Sequence, residues 1–269
     1  MAQRSTSLLV ASEYGEPSNH SSVISQRLFS EKSVRGRDVC LLLIAKNLPG
    51  CVQILDMADA LKIPAQIHCT ITGLGGTPAE PHIPLPDYVL EQSVKMIKER
   101  GIDPLFVTVR VDPLVPELLD RQMDVIPRVL ETFAKAGVRD CRASVVDYYP
   151  HVRAKFDQVG MNHPVGFQPS TAVKELAINM LFHLTARFNM NLHLCAESIP
   201  QSLSNSIGID IDTEGCASRS SWERLGITGL KPLVRSQRRE CTCDLYKEDL
   251  LKGLRKGCQP GCIYCYWRQ

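Results

Sequence analysis

Short β-branched runs alternate with helix-like stretches along most of the chain, and this alternation restricts the fold more than any other feature. The strand candidates are Ser7–Ala11, Val39–Ala45, Gln66–Thr72, Leu105–Val111, Arg142–Asp147 and Asn191–Cys195. Between them lie the periodic segments Cys51–Leu61, Asp87–Arg100, Asp120–Ala136 and Ser170–Asn189. In Asp87–Arg100 the residues Val89, Leu90, Val94, Met96 and Ile97 fall mostly on one helical stripe. Asp87, after Pro86, is the expected N-cap, and Gly101 the stop. Strand and helix in regular succession give a parallel sheet with helices outside. The expected fold is therefore α/β, a partial or complete (β/α) barrel. No internal repeat or low-complexity linker interrupts it. The expected division is a barrel over 1–230 and a basic, cysteine-rich tail over 231–269, packed on the barrel mouth.

In such a sheet the working residues collect at the C-terminal strand ends. Lys46 and Asn47 follow the second strand candidate, and Thr70, Thr72 and the loop Gly73-Leu-Gly-Gly76 close the third. Arg110 and Asp112 end the fourth, Asp147, Tyr148 and Tyr149 the fifth, Cys195 and Glu197 the sixth. The glycine loop can offer backbone N–H groups to a carboxylate or phosphate, or serve as a plain turn. Arg110 and Asp112 can equally form a structural ion pair.

The 269 residues suffice to bury a large core, and 22% charged residues with 17 Gly and 17 Pro exclude a disordered or collagen-like chain. The longest apolar run, Val39–Ala45, is too short to cross a bilayer. The N-terminus lacks a long apolar segment of the secretory kind, so a cytoplasmic location is expected. Eleven cysteines are conspicuous there, and their odd number does not suit a closed disulfide framework. Cys40, Cys51, Cys69 and Cys141 are expected to pack as small hydrophobes. Cys241, Cys243, Cys258, Cys262 and Cys265 lie instead among Gly, Pro, Lys and Arg, where no core is available.

The charge is uneven. Residues 231–269 carry nine Lys/Arg against four Asp/Glu, whereas the rest carries 22 against 25. A basic tail lowers thiol pKa values and attracts anionic substrates or nucleic acid. The plainer expectation is a solvated surface helix over Lys247–Lys256.

Cys258-Gln-Pro-Gly-Cys262-Ile-Tyr-Cys265 has the spacing C-x3-C-x2-C. Three thiolates on a tight loop can hold three irons of a [4Fe–4S] cluster and leave the fourth iron open, as a catalytic cluster requires. Structural zinc prefers paired C-x2-C units and four ligands. The motif, with an aromatic before its last cysteine, resembles the signature of radical S-adenosylmethionine enzymes, and Cys262-Ile-Tyr-Cys265-Tyr266 is similar to the cluster loop of spore photoproduct lyase. More specifically, the chain resembles the bacterial family "domain of unknown function eighteen forty-eight". The matching segments, in order, are Thr70-Ile-Thr-Gly-Leu-Gly75, Val109-Arg-Val-Asp-Pro113, Ser144-Val-Val-Asp-Tyr148, Leu194-Cys-Ala-Glu197, Gln237-Arg238, Cys241-Thr-Cys243 and Gly261-Cys-Ile-Tyr-Cys-Tyr266. The chain departs from the family in lacking an Arg-Arg-Thr-Asp segment near the first strand and in carrying Trp267 after the final aromatic.

The resemblance implies a radical-SAM-type barrel with its cluster loop at the C-terminus. Cys258, Cys262 and Cys265 would ligate the [4Fe–4S] cluster. Gly73, Gly75 and Gly76 would receive the methionine end of S-adenosyl-L-methionine, with Tyr264 on the adenine. Arg110, Asp112, Asp147 and Glu197 would line the substrate side. The reaction expected is hydrogen abstraction by a 5′-deoxyadenosyl radical, fed by a reducing electron donor such as flavodoxin or ferredoxin. Four further cysteines at family positions, Cys195, Cys216, Cys241 and Cys243, would suffice for a second cluster or a zinc; packed thiols are the alternative. A rival reading is a nucleic-acid-binding protein with a structural metal in its tail. Arg235, Arg238, Arg239, Lys252, Arg255 and Lys256 would then contact phosphates, and Tyr264, Tyr266 and Trp267 would stack on bases. A hydrolase or isomerase is disfavoured by the lack of a nucleophile elbow, P-loop or HExxH. The substrate, small molecule or nucleic acid, is not specified.

Overall fold

The computed structural model of the protein describes residues 6–12, 15–203, 211–233, 241–254, 258 and 260–266. Eight parallel strands form one sheet: β1 (Ser7–Ala11), β2 (Val39–Ala45), β3 (Ala65–Thr70), β4 (Val107–Leu114), β5 (Asp140–Val145), β6 (Asn191–Leu194), β7 (Ile211–Asp212) and β8 (Lys247–Asp249). Their spatial order is β7-β6-β5-β4-β3-β2-β1-β8. From β1 to β7 each strand lies beside its predecessor, the winding a barrel needs. Among the described residues β7 and β8 do not pair, so the sheet is not closed. The α/β expectation holds at that level, with an open sheet in place of a complete barrel.

The six expected strands are present, and β7 and β8 are additions. Both are too short for a period-two pattern to register. The helices are α1 (Ser21–Phe29), α2 (Val52–Ala60), α3 (Pro86–Glu99), α4 (Leu119–Lys135), α5 (Pro150–Gln158), α6 (Thr171–Arg187) and α7 (Arg219–Arg224). Asp87 lies in the first turn of α3 and not at its cap. Leu85 precedes Pro86 there, and Asp87 pairs with Arg128. An acidic group still suits this end of the helix dipole. Over the described part of the expected surface helix Lys247–Lys256, residues 247–254, no helix is formed: Lys247–Asp249 is the strand β8, paired with β1. Leu250 and Leu251 after it are buried, anchored by the Leu250 N–H on the Val10 carbonyl. Two adjacent leucines with a strand edge to cover outweigh local helix propensity.

The sheet has two unlike faces because successive side chains point opposite ways. Leu9, Leu41, Leu43, Ile67, Val109, Val111, Cys141, Ala143 and Leu192 face the helices and share one core with apolar residues of α1, α2, α3, α4 and α6. On the opposite face, Leu8 and Val10 of β1 and Cys40 and Leu42 of β2 are capped by Ala217, Trp222, Leu230, Cys243 and Leu245. These come from the connection between the two edge strands. Cys40, Cys51, Cys69 and Cys141 are fully buried thiols, as their apolar surroundings predict. Toward β3–β6 this face is polar. Gln66, His68, Thr70, Thr108, Arg110, Arg142, Ser144 and His193 are all buried, at alternate strand positions.

Candidate functional site

The segment 260–266 docks against the loop that follows β3. The Ile263 N–H donates to the Ala79 carbonyl at 3.1 Å, and Cys262, Ile263 and Tyr264 share an apolar cluster with Leu74, Ala79, Ile83, Val115 and Tyr148. The expected glycine loop is itself tightly packed. A Cβ on Gly75 would lie 2.2 Å from the Pro84 carbonyl oxygen, and Gly73, at φ +84°, lies against the α4 backbone. Gly76 is exposed and Gly75 is buried. A small pocket of about 10 Å³, the space of one water, is lined by Gly73, Gly75, Lys46, Thr70 and Glu80 among others.

Polar groups behind the cysteine loop are tied together. Lys46 Nζ is 2.9 Å from Glu80 Oε1, and the same oxygen accepts from the Tyr264 hydroxyl. Lys46 also donates to the Asp112 carbonyl at 3.4 Å and stands 5.2 Å from the Tyr264 ring centre. Glu16, buried in the loop after β1, accepts from the backbone N–H groups of Lys46 and Asn47 at 3.0 and 3.1 Å. Its own N–H donates to the Cys258 thiol. Burial pushes Cys258 up to about 11. Burial likewise raises Cys262, opposed by the Lys46 charge and reinforced by the charges of Glu80, Cys265 and Cys258. The three motif cysteines thus lie within electrostatic reach of one another at the C-terminal rim, with one cation beside them. Tyr264 is buried, its ring facing Lys46, while Tyr266 is exposed.

Of the expected substrate-side residues, Arg110 and Asp112 pair directly, and Asp112 also accepts from the Ser144 hydroxyl. Asp147 accepts from Gln168 at 3.0 Å. Glu197 is buried. One of its oxygens takes the Val145 N–H at 3.0 Å and the other pairs with Lys174 at 2.5 Å. Burial raises its pKa, against the Lys174 contact and with help from the Asp147 charge. Arg110–Asp112 and Asp147–Glu197 therefore form two neighbourhoods on the rim.

The other four family-position cysteines come together on the inner face. Cys216 Sγ lies 3.6 Å from Cys243 Sγ, Cys195 hydrogen-bonds Cys216, and Cys241 hydrogen-bonds Cys243. Thiol hydrogen bonds from Cys195 and Cys243 hold Cys216 well below its ordinary pKa, and the bond to Cys243 brings Cys241 to about 6. Cys243 is raised in exchange, since it donates to both neighbours.

Sequence reasoning missed His68, Arg142 and His193, whose signal was the alternation of polar with apolar residues inside β3, β5 and β6. Both ring nitrogens of His68, Nε and one terminal nitrogen of Arg110, and Nε of Arg142 are buried without a hydrogen-bond partner among the described residues. His193, Asp212 and Glu214 could present one ligand atom each within 4.8 Å of one another. His193 already pairs with Asp212 at 2.8 Å and Asp140 at 3.3 Å, an ion network that joins β5, β6 and β7. Of the residues expected to bind nucleic acid, Arg235, Arg238, Arg239, Arg255, Lys256 and Trp267 lie outside the described residues, as does the Gln237-Arg238 segment. Among the described residues no helix is long and apolar enough to cross a membrane.

No curated protein matches the chain. Solved structures similar to it include the carboxyl transferase domain of Rhizobium etli pyruvate carboxylase with pyruvate and biocytin, at 14% identity and a TM-score of 0.35, covering 76% of this chain and 32% of that one. The same domain without those ligands named matches at 13% identity and a TM-score of 0.35, covering 76% and 31%. The chain thus spans about a third of the length of these structures. A family profile matches residues 16–267, and the chain belongs to the family described as domain of unknown function DUF1848.

Proposed function

We propose that the protein is an iron–sulfur enzyme of the radical S-adenosylmethionine type. The observation that carries this reading is the gathering of Cys258, Cys262 and Cys265 at the C-terminal rim of a singly wound parallel sheet, where α/β enzymes keep their sites. The donor set fits the group. It offers three soft sulfurs from one short loop, and burial penalises leaving them as bare thiolates, so a metal is the natural replacement for their protons. A bound [4Fe–4S] cluster with an open iron would supply the electron that cleaves S-adenosylmethionine to a 5′-deoxyadenosyl radical.

The chain's own residues have definite tasks in that scheme. The Glu16 N–H bonded to Cys258 orients one ligand, and Lys46 offsets thiolate charge at Cys262. Glu80 holds Lys46 and Tyr264 in place from beneath. The Gly76 N–H is held by the Glu80 carbonyl at 3.1 Å, so exposed Gly76 would meet the amino group of the cofactor's methionine end through its own carbonyl, whereas Gly73 and Gly75 serve the loop's packing. Arg110 and Asp112 face the substrate side. Anaerobic reconstitution should load about four irons per chain at this site. Incubation with dithionite and S-adenosylmethionine should then yield 5′-deoxyadenosine. Iron retained undiminished by the triple Cys258→Ala, Cys262→Ala, Cys265→Ala variant, or no 5′-deoxyadenosine from the iron-loaded protein, would overturn the reading.

A further inference from the structure

We propose that Cys195, Cys216, Cys241 and Cys243 form a second metal site that holds a single zinc ion as a tetrathiolate. The four thiols arrive from three parts of the chain: the end of β6, the loop before α7 and the segment before β8. They form a continuous contact series, Cys195 to Cys216, Cys216 to Cys243 and Cys243 to Cys241.

The backbone is shaped for this approach. A Cβ on Gly215 would lie 2.4 Å from the Cys243 nitrogen and 2.6 Å from its Cα. Only glycine lets the strand of chain carrying Cys216 lie so closely on the one carrying Cys243. The one close sulfur pair favours a single ion over a cluster. Four sulfurs about 2.3 Å from one zinc stand about 3.8 Å apart, the edge of a tetrahedron. Cys216 and Cys243 are 3.6 Å apart, too far for a disulfide and the length of one such edge, while no three of the four sulfurs lie within 4.8 Å of one another, so Cys195 and Cys241 would swing inward on metal binding. Thiolates that terminate different irons of a cluster are held farther apart by the cluster between them.

Charge supplies an independent observation. Zinc with four thiolates carries two net negative charges, and burying such a centre requires nearby cations. Arg110 and Lys247 both act electrostatically on Cys216. Arg110, 7% exposed, keeps Nε and one terminal nitrogen unpartnered among the described residues, and His68, which also senses Cys216, keeps both ring nitrogens unpartnered. Donors of this kind are suited to ligand sulfurs. The ion would pin the connection between β7 and β8 onto the inner face, a structural role separate from the rim cysteines.

The test uses the full chain purified without oxygen. Metal analysis should find about one zinc per chain, and X-ray absorption at the zinc edge should show about four sulfur neighbours. The zinc should persist in the triple Cys258→Ala, Cys262→Ala, Cys265→Ala variant, so failure of the rim cluster would leave this result intact. Cys216→Ser and Cys243→Ser should each lower zinc affinity at least tenfold. Should these variants not fold, the zinc-edge spectrum of the unmodified chain decides the matter alone. Substoichiometric zinc, nitrogen or oxygen in its first shell, a Cys216–Cys243 disulfide, or additional iron and sulfide dependent on these cysteines would overturn the assignment.

Discussion

Gln122 of α4 is fully buried with its amide satisfied on both sides. Its oxygen accepts the Val115 N–H at 2.7 Å, and its nitrogen donates to the carbonyls of Thr72 and Pro113 at 2.9 and 3.1 Å. One side chain thereby fixes the ends of β3 and β4, where the glycine loop and Asp112 begin. Gln122→Ala should destabilise the fold by roughly 1–3 kcal/mol for each buried backbone group left unpaired, read as a lower denaturation midpoint. An unchanged midpoint would mean that water replaces the amide. Nothing in the sequence marks Gln122, because a glutamine on an amphipathic helix reads as surface. The rim residues Arg110, Asp112, Asp147 and Glu197 were legible, since strand ends can be located from hydropathy alone. Their partners were not: that Glu197 would hold Val145 and Lys174 depends on contacts between distant segments.

Among the elements, β8 is the least expected and depends on charge for its hold. Arg37 meets Glu248 of β8 through both terminal nitrogens, at 3.0 and 2.5 Å, and pairs with Glu31 at 2.6 Å. The Arg37 hydrogen bond lowers Glu248 below its ordinary 4.5, against a smaller effect of burial. A carboxylate with a depressed folded pKa contributes stability that is complete above the unfolded value and lost as pH falls through the folded one. The stabilisation should therefore fade below about pH 4.5. Because Glu248 is nearly a third exposed, solvent screening limits it to about 1 kcal/mol. Thermal melts from pH 7 to 3 should fall less steeply for Glu248→Gln than for the unmodified chain. Parallel slopes would assign the acid sensitivity to other groups. The tail's lysines and glutamates suggested a solvated helix, and only an unfilled edge beside β1 makes Lys247–Asp249 a strand.

For the whole molecule, the decisive feature is how the open sheet covers its inner face. The connection between β7 and β8 folds back over β1 and β2, with Trp222 fully buried at its centre. Trp222→Ala should cost about 3–5 kcal/mol, since the surroundings cannot collapse fully into the vacated volume. For a chain of this size that corresponds to a Tm lower by roughly 5–9 °C. A shift of a degree or two would show that this connection is only loosely attached. The alternation of hydrophobic periods determined by itself that the chain would build a parallel α/β sheet, and the spacing of Cys258, Cys262 and Cys265 pointed to sulfur-ligated chemistry. Both signals are local, carried by residues close together along the chain. Only the tertiary structure decided that the sheet stays open among the described residues, that its inner face is apolar at one end and polar at the other, and that four scattered cysteines meet there. Those outcomes rest on which distant segments can approach without steric conflict, as Gly215 against Cys243 illustrates, and no periodicity along the chain records such an approach.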